Sequence, residues 1–351
     1  MPRFGEQRSL MRFSTFVGAS ICMLLQVGGT AAGPCDPAGN VRFVCDQSSP
    51  EDLAIVPGGQ WVIASGMGEK AGIRAINVRD STSTMLFPAP SAKVRQDNKT
   101  YKACPGPLDA AGQAIFKAHG LYLRPGNTAV HRLFVVHHGS RESIEVFDLD
   151  ISAGPTLTWV GCAVAPEGPG LNSVVGLADG GFIATNFHPR GTDRPTWLQK
   201  ARAGENTGDL WEWRPSSGWM VVPGSEAPGP NGLEISKDGK WLYIGVWGAQ
   251  SVTRLSRGQT PAKKDSVVVG FRVDNLRWAP DGSIIAAGQG EKTSHVAKVN
   301  PDTLKFEEIV RHPDTDVFRS GTTAVQIGNE VWVGSVGSDR IARIPMTSRA
   351  P

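Results

Sequence analysis

Residues 231–246 read NGLEISKDGKWLYIGV: an Asn-Gly opening, a short alternating run, an Asp-Gly pair, and a second run that begins on a tryptophan. Asp and Gly tolerate positive φ, so Asp238-Gly239 reads as the tight turn of a β-hairpin. The unit recurs along the chain as EDLAIVPGGQWVIASG from Glu51, HGLYLRPGNTAVHRLFVVHHG from His119 and NSVVGLADGGFIATN from Asn172. It continues as DNLRWAPDGSIIAAG from Asp274 and GTTAVQIGNEVWVGSVG from Gly321. The copies start roughly 45 to 65 residues apart, room for four strands and their loops, which is the period of a propeller blade. The expected fold is therefore all-β, a six-bladed β-propeller with four-stranded blades around a central channel.

Outer strands follow most hairpins. Ile144, Val146 and Leu149 alternate with Glu145 and Asp148, as a half-buried strand requires. The last copy is followed by a single strand, Arg340 to Ile344, so the orphan apolar segment Val41 to Val44 is expected to close the ring. The segment Ser81 to Ala118, rich in Pro, Ala, Lys and Gly, breaks the pattern and reads as a surface excursion or lid near the second blade. Trp61, Trp241 and Trp332 sit in the second strands of their hairpins and read as filler between blades.

Net charge is +3 over 351 residues. Arg3, Arg8 and Arg12 against Glu6 supply two of those charges, and the remaining +1 gives no electrostatic case for nucleic acid or an anionic membrane. Those arginines precede the apolar run Phe13 to Val27 and the small residues Gly28 to Gly33, the layout of a signal peptide spanning 1–32. Residues 33–351 are then one propeller domain, secreted or periplasmic, with no membrane span after cleavage. Four cysteines remain, and an exported chain is expected to pair them as Cys35 with Cys45 and Cys104 with Cys162. Their spacing does not match a zinc site.

The residues that open the copies carry the chemistry: Glu51, Asp52, His119, Asn172, Asn231, Asp274 and Asn275. If each copy is the innermost strand of its blade, these side chains meet at one end of the channel. Apart from the imidazole they offer only carboxylate and amide oxygens, the preference of a hard cation, and a wide converging ring suits Ca²⁺ better than Mg²⁺.

The combination resembles the paraoxonase/arylesterase group of six-bladed propellers, within the senescence marker protein/gluconolactonase-like superfamily. It rests on Glu51-Asp52, His119-Gly120, Val135-Val136-His137-His138, Leu171-Asn172, Asn231-Gly232 and Val273-Asp274-Asn275, in that order. The resemblance implies a calcium at the channel mouth held by Glu51, Asn172, Asn231, Asp274 and Asn275. It implies a second, buried calcium on Asp52, the backbone near Leu121 and a carboxylate after Asn172. Ser173 stands at that last position and weakens the second site. It further implies a histidine pair, His119 as base with His138 orienting it; a ligand carboxylate such as Asp274 is the other candidate base.

The resemblance thus implies a calcium-dependent hydrolase of small esters or lactones, in which the cation would polarise the carbonyl and stabilise the oxyanion. Absence of a Gly-x-Ser-x-Gly elbow argues against a serine hydrolase. Two other classes stay open. A strictosidine synthase-like propeller would need a lone axial acid, against which the surplus of oxygen donors counts. A non-catalytic binding propeller would use calcium for rigidity alone.

Overall fold

The computed structural model describes residues 35–346, and the signal-peptide reading of 1–32 lies outside them. Gly180, Gly239 and Gly282 take φ of +86°, +72° and +83° at the hairpin turns, a conformation that side chains other than glycine's rarely adopt. The hairpins build six sheets. Their innermost strands are Leu53–Ile55, Lys117–Arg124, Leu171–Gly176, Pro230–Ile235, Arg272–Trp278 and Gly321–Ile327, here blades 1 to 6 in that order.

The ring closes as the sequence predicts. Arg42–Val44 pairs antiparallel with Ile341–Pro345, Phe43 opposite Ala342, as the outer strand of blade 6. The Cys35–Cys45 disulfide ties the chain on both sides of this strand. Cys104 bonds Cys162, so both expected pairs are formed. Blade faces pack on one another through Val, Ile, Leu and aromatic side chains. Trp332 and Phe134 are fully buried, and Trp213 stacks on Phe182 with centroids 5.0 Å apart.

The segment Ser81 to Ala118 needs a correction. Its first part, Ser83–Phe87, is the outer strand of blade 1, obscured in the sequence by the flanking Pro and Lys. Lys93–Val94 then adds a fifth, parallel strand to the edge of blade 2. Tyr101 is buried, Cys104 is bonded to the blade, and Asp109 caps the short helix Ala110–Ala114. These ties make the segment a strap on the outside of blade 2 rather than a free lid.

One irregularity repeats and positions the site. Antiparallel register shifts between Ala118 and Leu121, Leu171 and Val174, Pro230 and Leu233, Val273 and Leu276, and Gly321 and Thr323. Blades 2 to 6 thus each carry a bulge at the start of the inner strand, and bulges re-aim side chains that a regular pleat would turn away. The bulges nest against their neighbours. A Cβ at Gly120 would lie 2.3 Å from the Asn172 carbonyl oxygen, and one at Gly232 would lie 2.2 Å from that of Asp274. That crowding explains why His119 and Asn231 are followed by glycine.

Candidate active site

The five bulges and the Glu51-Asp52 turn bring the predicted residues to one end of the channel. Glu51, Asn172, Asn231, Asp274 and Asn275 are all buried. Asn275 Nδ2 donates to Glu51 Oε1 at 2.9 Å, and Gln289 Nε2 donates to Asp274 Oδ2 at 2.6 Å and to the Gly321 carbonyl at 2.9 Å. Thr322 Oγ1, in the blade without a donor to the ring, anchors the Glu51 carbonyl at 2.7 Å. Gln289 and Thr322 carry no motif signal, and only the fold reveals their part.

What remains after these bonds is informative. Glu51 Oε2, Asn172 Oδ1, Asn231 Oδ1 and Asn275 Oδ1 are buried and have no hydrogen-bond partner. Buried acceptors without partners are costly and rare, and four at the openings of the inner strands, at one end of a channel, fit an oxygen-seeking cation. Electrostatics agree. Burial, reinforced by the Glu51 charge, pushes the Asp274 carboxyl up to about 8. Carboxylates held this close resist ionising together, and a divalent cation among them removes that resistance.

His119 stands beside the ring, its Nε2 3.6 Å from Glu51 Oε1 and 3.5 Å from Asn172 Nδ2. Burial opposes charging of this imidazole, but Glu51, with Asp274 and Asp52 behind it, outweighs burial and raises its pKa. Its Nδ1 lies 2.9 Å from His138 Nε2, so the expected histidine pair is in contact. His138 Nδ1 in turn lies 2.8 Å from Glu142 Oε2, a partner the sequence did not flag. His137 faces the other way, stacks on Phe116 at 4.5 Å, and has its pKa lowered by burial to about 4.

Asp52, grouped with the metal ligands from the sequence, is set apart from the ring by its own partners. Leu53 N and Thr323 Oγ1 donate to its Oδ1 at 2.8 and 3.0 Å, and Leu121 N donates to Oδ2 at 2.7 Å. The Arg277 guanidinium also bonds Oδ2, and donates to the carbonyls of Leu53 and Leu121, each at 2.8 Å. The Ser173 hydroxyl is engaged too, accepting from Leu233 N at 3.2 Å. Oxygens that the resemblance assigns to a second calcium therefore surround a guanidinium, and these residues do not fit a second ion.

A cavity of about 790 Å³ opens at the opposite end of the channel, among the hairpin turns. Its rim is internally paired, Arg214 with Asp179 and Arg257 with Glu212, so it lacks the unpaired acceptors of the ring. Glu234 lines it, with Arg277 Nη1 4.0 Å away. Burial pushes the Glu234 carboxyl from its ordinary 4.5 up to about 7, and Arg277 only partly offsets this. The folded chain thus holds this proton more tightly than the unfolded chain. The contribution is complete below the unfolded value and is lost as pH rises through about 7, by at most ~3 kcal/mol. Glu234→Gln is expected to flatten that decline. Urea unfolding at pH 5 and pH 8 checks it, and an equal decline in both proteins refutes it.

No protein-family model and no curated protein sequence matches the chain. Solved structures do. A gluconolactonase from Xanthomonas campestris is 15% identical, with 87% of this chain and 89% of that one covered and a TM-score of 0.55. A luciferin-regenerating enzyme is 12% identical, with 88% and 95% covered and a TM-score of 0.54. A calcium-binding regucalcin from Agrobacterium tumefaciens is 13% identical, with 88% and 94% covered and a TM-score of 0.51. At these identities the likeness establishes the fold alone: the chain is a six-bladed β-propeller, similar in fold to these structures.

Proposed function

We propose that this chain is an exported, calcium-dependent hydrolase of carboxylic esters or lactones, with Glu51, Asn172, Asn231, Asp274 and Asn275 holding the ion. The supporting observation is the set of four buried oxygens without partners at the openings of the inner strands, beside an imidazole. Both disulfides fit an exported chain. The gluconolactonase and regucalcin likenesses are compatible with small-molecule hydrolysis and with calcium, respectively. When bound, the ion supplies Lewis-acid polarisation of the carbonyl and charge stabilisation of the oxyanion.

The rest of the chemistry falls to the chain. His119 Nε2, at the rim of the ring, takes the proton of the attacking water, and His138 holds the imidazole through its other nitrogen. Gln289 fixes Asp274, and Thr322 fixes the Glu51 backbone, so the ring keeps its shape as charge develops.

Metal analysis of the purified chain is expected to find one calcium per molecule. Hydrolysis of phenyl acetate and of aliphatic lactones is expected to vanish with a chelator and to return with added calcium. Hydrolysis that survives chelation sinks the proposal. Stoichiometric calcium with no hydrolysis of either class favours the non-catalytic binding propeller.

A further inference from the structure

We propose that Glu142 is a positioning residue that sets the direction of a three-member hydrogen-bond chain, Glu142–His138–His119, and so presents His119 Nε2 to the ring as a bare acceptor. This rests on the hydrolase reading for its catalytic consequence, though not for its geometry.

An ionised Glu accepts hydrogen bonds and donates none. Glu142 Oε1 accepts from Leu171 N at 2.7 Å, and its Oε2 lies 2.8 Å from His138 Nδ1. The proton of that second bond must therefore sit on His138 Nδ1. In a neutral imidazole the other nitrogen is then an acceptor. His138 Nε2 lies 2.9 Å from His119 Nδ1, so His119 supplies the proton there. With both imidazoles neutral and the Glu51 charge taken up by a bound cation, the tautomer of His119 follows: hydrogen on Nδ1, lone pair on Nε2, directed at the ring where Glu51 and Asn172 stand. Without Glu142 either tautomer pair satisfies the His–His bond, and the reversed one would direct an N–H at the ring.

Glu142 is itself held. Its backbone carbonyl accepts from Ala165 N at 2.9 Å. The preceding Arg141 is clamped by Glu145 at 2.7 and 2.9 Å and reaches the Gly106 carbonyl in the blade 2 strap at 3.0 Å. Leu171 immediately precedes Asn172, so one carboxylate fixes both the histidine chain and the bulge that carries a ring oxygen. Loop residues without periodicity give no sequence signal of such a role.

The isosteric Glu142→Gln tests it. One amide oxygen can serve Leu171 N or His138, but not both as the carboxylate does. With the oxygen on Leu171 N, the amide NH₂ faces His138 Nδ1 and reverses the chain. In the calcium-loaded protein, kcat for phenyl acetate is expected to fall about 10²-fold, the scale of a lost general base. KM and calcium affinity should stay within about 3-fold, because the bond to Leu171 N survives. Nitrogen-15 NMR of histidine-labelled protein, with His119 assigned by its loss in His119→Gln, should show hydrogen on Nδ1 in the wild type and on Nε2 in Glu142→Gln. Wild-type kcat in Glu142→Gln, or hydrogen on His119 Nε2 in the wild type, overturns the proposal. The tautomer of the wild type is read without substrate and without the variant, so it decides the chain's direction even if Glu142→Gln does not fold or the hydrolase reading fails.

Discussion

Asn231→Ala is expected to abolish calcium-dependent hydrolysis while leaving the metal-free protein as stable as the wild type, or more so. The first half follows from the ligand set. Asn231 supplies one of the four buried oxygens without a protein partner, and its removal takes a whole ligand from the ion. Outer-sphere substitutions at metal sites already cost about 10- to 100-fold in affinity, so losing a direct ligand should exceed ~100-fold. Loss of carbonyl polarisation and oxyanion stabilisation should lower kcat/KM by about 10³-fold. The second half is less intuitive. Asn231 Oδ1 makes no hydrogen bond, so in the metal-free chain its deletion removes a desolvation cost rather than a bond. Calcium at 100 times its dissociation constant should stabilise the wild type by about 2.7 kcal/mol, and that increment should vanish in the variant. Calorimetric melting with and without calcium reads both halves. A variant that keeps its calcium-induced shift shows that the ion, if bound, sits elsewhere. One that loses stability without calcium shows that Asn231 is structural.

Asn231 also marks how far the sequence could be read. Its role as the opening residue of an inner strand was legible because Asp238-Gly239 fixes the turn and Trp241 the start of the next strand. The same arithmetic left blade 6 one strand short and found it at Val41 to Val44. What placed Asn231 in the ring was not legible. Strict period-two alternation would allot successive residues to opposite faces, whereas a bulge in each of five blades re-aims the opening pair. The only sequence trace of those bulges is the glycine after His119 and Asn231, which reads equally well as a turn former. Glu142, Gln289 and Thr322 act through tertiary contacts from loops and later strands, where neither spacing nor residue type singles them out. Ser83–Phe87 was hidden for another reason: a short strand with only Met85, Leu86 and Phe87 apolar, followed by Pro88, resembles the loop it leads into.

Asp52 is the opening residue on which sequence and structure part, and Arg277 gives the reason. On the inner strand of blade 5, Arg277 looks like a polar residue at an outward position of a pleat. The bulge two residues earlier turns it inward instead, and its guanidinium spans the axis to Asp52 and to the carbonyls of Leu53, Leu121 and, at 2.6 Å, Leu276. Blades 1, 2 and 5 are thereby cross-tied by one buried cation. Arg277→Met keeps an unbranched apolar stem but removes the guanidinium, leaving a fully buried carboxylate and three carbonyls short of a donor. Breaking a buried pair from one side typically costs about 3–5 kcal/mol, and that loss is the expected result. Its pH dependence has a definite sign. Burial already raises the Asp52 pKa above its ordinary 3.8, with Arg277 pulling the other way. Without Arg277 the folded-state value rises further, so the folded variant holds a proton that the unfolded chain releases. Protonation then relieves the variant below about pH 4, and the deficit widens as pH climbs through the raised value. Asp52→Asn in the same background should recover part of the loss at pH 8 and little at pH 4. Urea unfolding of the two single variants, the double variant and the wild type at both pH values measures the coupling directly. If Arg277→Met costs under about 1 kcal/mol at pH 8, the guanidinium is not what holds the channel's buried carboxylate in place.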